Sequence, residues 1–369
     1  MAAPPTSQVG AAAWARQNLF SSVSNTLTTV VIALALAYLI PAILQWAVTD
    51  AVLTLKPSAE SWWGYDFAPN AEACRTAAGA CWDFVAEKIR VFTFGLYPQE
   101  EQWRPAAMIL LLIAMIAISV NSRFHNRWLL VAWAVAAPVM FILMQGGVFG
   151  LPLVETDKWG GLPVTLIIAV VGIVFSFPLA ILLALGRQSD LPIIKTVCIA
   201  FIEIVRGVPL ITILFMASLM IPLFLPEGVN FNKLVRALVA FTLFAAAYVA
   251  EVIRGGLQAL PKGQFEAADA MGMSYWQKTG LIILPQALKL VIPPTMNTFI
   301  GLFKDTTLII MISMFDFLGA VRLASNDTVW RPFYVEGLVF AAIIYFIMCY
   351  AMAAYARHLE YKLDTGHRS

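Results

Sequence analysis

Four groups of residues in this chain combine types and spacing that could do chemistry. Glu203 and Arg206 lie three apart, on one face of a helix, just before Gly207 and Pro209. A cation and an anion beside a proline break suit the carboxylate and ammonium of a zwitterion; they suit equally an intrahelical ion pair closing the end of a span. Glu251 and Arg254 repeat the spacing one apolar run later and read as an interfacial pair anchoring the segment that follows. Lys304, Asp305, Thr306 and Thr307 bring together a cation, an anion and two hydroxyls, which fits a zwitterion or a polar cap on an outer surface. Asp316 is a weaker candidate of the same kind. Gln264, Glu266 and Asp269 are the polar positions of a short segment that holds the fourth group.

What the chain lacks narrows the chemistry further. Its three histidines and four cysteines form no cluster with metal-ligand spacing. No paired carboxylates or activated nucleophile stand out, which disfavours an enzyme. No Gly-rich loop ending in Lys-Ser/Thr is present to hold a nucleotide phosphate, so no cofactor is expected in this chain. A net charge of +2 leaves no broad basic surface for nucleic acid.

The elements that must position these groups are membrane spans. The chain is 60% hydrophobic and 12% charged, against about 25% charged for a soluble domain. Apolar runs at 28–48, 105–120, 128–144, 161–185, 197–225, 234–253, 281–303 and 335–355 predict an all-α integral membrane protein of about eight transmembrane helices. The first run is too long for a signal-peptide core and has no clear cleavage site, so it reads as a true span. The reading divides the chain into an N-terminus (1–27), a three-span extension (28–150) with a long loop at 49–104, a five-span core (151–360) and a tail (361–369). With the N-terminus inside, the inner segments carry eleven Lys and Arg and the short outer loops six, which places both termini in the cytoplasm. Cys198 and Cys349 fall in apolar runs and read as small buried hydrophobes. Cys74 and Cys81 share the 49–104 loop, where a disulfide is plausible. Trp62, Trp63, Tyr65, Trp82 and Trp103 suit a headgroup-level or folded cap there.

The inner segment 254–280 is the most informative stretch. Pro261 suits a first helical turn, Lys262 to Met271 can form a short helix with Phe265, Ala268 and Met271 on one side, and Gly272 can end it in a left-handed conformation. Ser274 and Gln277 have capping-box spacing and start a second helix that enters the span containing Pro285. A short helix between two spans is a lever that moves both; it could also lie passively on lipid headgroups.

These residues resemble a family. Glu266-Ala267-Ala268, then Gly272, Ile282 and Leu284-Pro285, look like the EAA signature of binding-protein-dependent ABC import permeases. Ala250-Glu-Val-Ile-Arg-Gly-Gly256, Pro261-Lys-Gly-Gln-Phe265 and Lys304-Asp-Thr306 extend the match toward the polar amino acid branch. Arg206-Gly-Val-Pro-Leu-Ile-Thr212, read on to Ser218, resembles the general L-amino acid permeases, whose subunits carry an extension ahead of a five-helix type I ABC importer core. Many relatives have Thr where Val208 stands, so a hydroxyl role there does not transfer.

The resemblance implies a bacterial inner-membrane permease subunit importing polar or general L-amino acids; amines or opines, and a secondary transporter driven by an ion gradient, are the alternatives. It also implies that Gln264, Phe265, Glu266, Ala267, Ala268, Asp269 and Gly272 dock on a cytoplasmic ATPase. Glu203, Arg206, Lys304, Asp305, Thr306 and Thr307 become substrate-binding candidates. The implied partners are a second permease subunit, two ATPase subunits that bind ATP and Mg, a periplasmic amino-acid-binding protein and membrane lipid.

Overall fold

The computed structural model describes residues 10–57, 65–224, 226 and 231–363, and they form two compact units, Met1–Glu87 and Lys88–Ser369. Trp62 and Trp63 lie outside the described residues.

In the first unit a short α1 (Ala11–Asn18) precedes α2 (Val23–Leu44), which ends in a π-turn. Ser22 caps α2 by accepting from Asn25 N–H at 3.1 Å, and no α2 residue is buried. Its mean hydropathy of 2.4 is that of a helix solvated by lipid. The loop beyond it is folded: β1 (Leu55–Pro57) pairs antiparallel with β2 (Tyr65–Phe67), α3 (Ala71–Thr76) follows, and α4 (Trp82–Phe94) begins in this unit and continues into the second. Asp83 is fully buried and holds the loop by accepting from Thr54 N–H (2.6 Å), Thr54 Oγ1 (2.6 Å) and Asn70 N–H (2.9 Å). Cys74 and Cys81 form a disulfide across a Cα separation of 5.3 Å.

In the second unit, α5 (Trp103–Val120) packs on α6 (Arg127–Gln145), and α7 (Gly161–Arg187) makes its largest interface with α10 (Lys233–Ala259). A Cβ on Gly172 would sit 2.7 Å from Phe241 Cδ1, so the glycine is what lets these helices meet around the buried ring. α10 is the central helix, with a face of Ala240, Phe241, Phe244, Ala247, Ala250 and Ile253 inside the core.

The span expected at 197–225 is not one helix. α8 (Pro192–Gly207) and the stretch starting with α9 (Leu210–Phe215) and ending at Phe224 meet at 105°. Pro209 has no N–H to donate and forces Val208 out of the helical region, to φ −108° and ψ 133°. Among the described residues seven helices are therefore long and apolar enough to cross a membrane, or eight with the broken pair as one span. α10 also runs six residues past its expected end, to Ala259, because Gly256 packs directly against Val291 and Ala287 and the helix has no reason to stop there.

Beyond α10 come α11 (Lys262–Ala270), the single turn α12 (Tyr275–Gln277) and α13 (Leu284–Asp305), which is joined to α12 by a π-turn. After α13 a 3-10 stretch to Ile312 reverses at left-handed Ser313 into the bridge residues of β3 (Phe315–Asp316), α14 (Phe317–Ala324) and α15 (Tyr334–Leu363). Cys198 and Cys349 are half-buried rather than enclosed.

Candidate functional site: a loop helix and a charge cluster

Between α10 and α13 the backbone makes two sharp transitions, and each has a local cause. Leu260 is extended ahead of Pro261, and Pro261 is the N-cap of α11 rather than its first residue. Met271 ends α11, and Gly272 follows at φ +71° with nothing within 4 Å of where its Cβ would be. Gly272 N–H closes the turn on Asp269 C=O at 2.9 Å. The capping residues of the next helix interact as their spacing predicts, Ser274 N–H donating to Gln277 Oε1 at 3.0 Å.

Within α11 the seven expected residues divide into two faces. Ala268 is buried and Phe265 half-buried against the core, while Gln264, Glu266, Ala267, Asp269 and Gly272 are exposed. Phe265 therefore seats the helix on its own chain, and Met271, 80% exposed, points away from it, so the two do not share a face. Two further ties fix the helix: Gln286 Nε2 donates to Gln264 Oε1 at 3.0 Å, and Lys278 Nζ pairs with Asp269 Oδ1 at 2.6 Å. Glu266 is left as an exposed carboxylate of α11 with no ion pair among the described residues. Met271, Tyr275, Trp276 and Leu281, which follow α11 in the chain, are exposed apolar residues.

The two charge pairs near the ends of α8 and α10 merge into one cluster. Glu203 does not pair with Arg206; Arg187 at the end of α7 takes it at 2.9 Å. Glu251 is the hub, accepting from Arg254 at 2.5 Å and Arg187 at 3.3 Å and forming an ion pair with Arg206 at 3.5 Å. Arg206 also lies over the Tyr248 ring, 5.6 Å from its centroid. The cluster thus ties α7, α8 and α10 together a few residues before α11. Arg187 was missed in the sequence because it lies 64 positions from Glu251, and no pattern within one helix relates them.

Lys304, Asp305, Thr306 and Thr307 are a separate place. They lie at the end of α13, about 20 Å along its axis from the Gly256 crossing at Val291 (thirteen residues at about 1.5 Å each). Lys304 is exposed and Asp305 half-buried. Thr306 Oγ1 is buried and donates to Phe303 C=O at 2.8 Å, and Thr307 Oγ1 donates to Lys304 C=O at 2.9 Å. Asp316 is fully enclosed, with its oxygens taken by Gly319 N–H (2.8 Å), Leu318 N–H (3.2 Å) and Tyr345 O–H (2.8 Å). It caps α14 and pins it to α15. Among the described residues no group of His, Cys, Asp and Glu could hold a metal.

A multi-pass helical membrane protein with an exposed helix slung between two of its core spans is built as a membrane transport subunit. Residues 176–365 match the family described as binding-protein-dependent transport system inner membrane component, and the chain belongs to that family. It is 48% identical over 96% of its length to the inner membrane amino-acid ABC transporter permease protein YhdY of Escherichia coli (strain K12), covering 93% of that protein. It is 38% identical over 99% of its length to the glutamate/glutamine/aspartate/asparagine transport system permease protein BztC of Rhodobacter capsulatus, covering 96% of that protein. A crystal structure of an amino acid ABC transporter with histidines is 29% identical over 55% of this chain and 92% of that one, at a TM-score of 0.49.

Proposed function

We propose that this inner-membrane permease subunit imports polar L-amino acids and is driven through α11 by ATPase subunits of the same transporter. The observation that carries the coupling role is the seating of α11: Phe265 and Ala268 hold it on the core, while Glu266, Met271 and Trp276 face outward beside left-handed Gly272. Exposed apolar residues on the same loop as a carboxylate without an ion pair fit a groove with apolar walls and a basic group. Asp269 serves the loop itself by holding Lys278. The amino-acid substrate is supported by the names of YhdY and BztC and by the full-length likeness to both.

In this reading both termini and α11 are cytoplasmic. ATP and Mg are held by two partner ATPases, a second permease subunit completes the pathway, and a periplasmic binding protein delivers the solute. Residues 28–150 form the three-span extension and residues 151–360 the five-span core. A push on α11 passes through Gly256 to α13 and through α10 to the Glu251 cluster, so α7, α8 and α10 move as one body. Lys304 and Asp305 are the substrate contacts we favour, because Glu203 and Arg206 are already committed to Arg187 and Glu251. Uptake of a labelled amino-acid panel, in a deletion strain carrying wild type or Gly272→Trp, tests the reading. Broad uptake restored by the wild type alone supports it. No uptake with either removes the amino-acid assignment, and equal uptake with both removes the coupling role of the loop.

A further inference from the structure

A cavity of about 940 Å³ opens between the extension helices α5 and α6 and the core helices α7 and α10. Met108 and Leu112 of α5, Trp133 and Met140 of α6, Val174 of α7 and Leu238 of α10 typify its apolar wall. Three uncharged polar residues reach it, Gln145, Thr156 and Asn232, and all sit at one end, where α6 stops and α10 begins. Asn232 Nδ2 donates to Thr156 Oγ1 at 2.6 Å there. In sequence, Glu155 and Asp157 flank Thr156, Lys158 stands two positions from it and Lys233 follows Asn232, two cations balanced by two anions. From Leu130 to Gln145 the crevice follows α6 for about 22 Å (fifteen residues at about 1.5 Å each), the depth of one leaflet with its headgroup layer.

We propose that this crevice is a binding site for one zwitterionic phospholipid, its acyl chains between α6, α7 and α10 and its headgroup at Gln145, Thr156 and Asn232. Size separates this occupant from a protein helix: 20 Å of a helix about 10 Å across fills about 1,600 Å³, more than the cavity holds. At roughly 30 Å³ for each water-sized group, 940 Å³ has room for about thirty methylenes, the content of two acyl chains. Water needs two to four polar partners per molecule, and below the mouth the wall offers none. An apolar wall left without neighbours forfeits its dispersion contacts, and in a bilayer lipid is the solvent at hand to supply them. The balanced charges at the mouth fit a phosphate and an ammonium in one headgroup better than an anionic headgroup.

The site is independent of the solute carried, and its test requires no transport. The assembled transporter is purified in mild detergent, offered equal amounts of phosphatidylethanolamine and phosphatidylglycerol, and weighed intact by native mass spectrometry. The expected result is one retained phosphatidylethanolamine per copy of this chain. Ala134→Trp with Ala137→Trp, both on the wall, lowers the retained fraction about tenfold. Val135→Trp, on the same helix but off the wall, leaves it unchanged. No retained lipid in the wild type, or equal loss in the wall variant and the control, overturns the proposal. Should the double variant fail to fold, lipids brominated in their acyl chains serve instead. Trp133 emission, taken as the difference between wild type and Trp133→Phe, is then quenched, and a difference without quenching overturns the proposal. Cross-linking of Ala137→Cys to a partner protein, with no lipid retained, does the same.

Discussion

Replacing Glu251 with Gln removes the one carboxylate shared by three guanidiniums while keeping the side chain's shape. Arg254 approaches it at 2.5 Å, a short charge-assisted contact worth about 1.5–3 kcal/mol. Arg187 and Arg206, at 3.3 and 3.5 Å and partly exposed, add about 0.5 kcal/mol each. The amide oxygen of Gln still accepts one hydrogen bond, which leaves an expected loss of about 2–3 kcal/mol. At roughly 2–4 °C per kcal/mol for a folded unit of 150–250 residues, the melting midpoint of the purified transporter falls by about 5–10 °C. Glu203→Gln is the comparison: its side chain is 55% exposed and, among the described residues, pairs with Arg187 alone, so the midpoint moves by less than about 2 °C. Intrinsic fluorescence on heating reads both. If Glu251→Gln shifts the midpoint no more than Glu203→Gln does, Glu251 is not the hub and the three helices do not move as one body. A lowered amount of amino acid imported per ATP hydrolysed, measured in proteoliposomes below the melting range, is the accompanying functional outcome.

Other perturbations follow from single geometric facts. Gly272→Ala places a Cβ in open space but in the left-handed region, so it costs about 1–2 kcal/mol of strain and lowers ATPase co-purification, whereas Gly263→Ala, helical and also open, does not. Gly256→Leu drives a side chain into Val291 and costs about 1–3 kcal/mol by overpacking, visible as a lower melting midpoint with normal membrane insertion. Lys88 pairs with Asp327 at 2.8 Å and, with the Val329 N–H, holds the Asp327 carboxyl below the usual aspartate range. The pair's contribution is present above the ordinary value of about 4 and is lost as pH falls through the lowered one. Asp327→Asn therefore reduces the acid-induced drop in melting midpoint, and an unchanged acid limb refutes the pairing. Without reductant, a thiol reagent modifies Cys198 and Cys349 but neither Cys74 nor Cys81; labelling of all four shows that the disulfide is absent.

The sequence by itself determined the features set by local chemistry or by bilayer thickness. Apolar runs located the membrane helices, because lipid offers the backbone no partner outside a helix. Pro209, Pro261, Gly272 and the Ser274–Gln277 box were legible for the same reason: each acts within one turn of itself, and each does so in the fold. The spacing of Glu251 and Arg254 foretold their contact. Tertiary structure alone decided who else shared those charges. Glu203 and Arg206 have the same spacing but not the same outcome, because Arg187 from another helix lies within reach of both carboxylates. It also split the faces of α11, turning Phe265 inward and Met271 outward, and it kept α10 helical to Ala259 by packing Gly256 on α13. Asp316 was legible as a polar residue; its enclosure by Tyr345 and two backbone N–H groups was not. The crevice between α6 and α7 was invisible as well, since its wall residues run from Met108 to Leu238 and become neighbours only when four helices pack. Contacts between distant residues depend on how helices cross, and no period in the sequence records that.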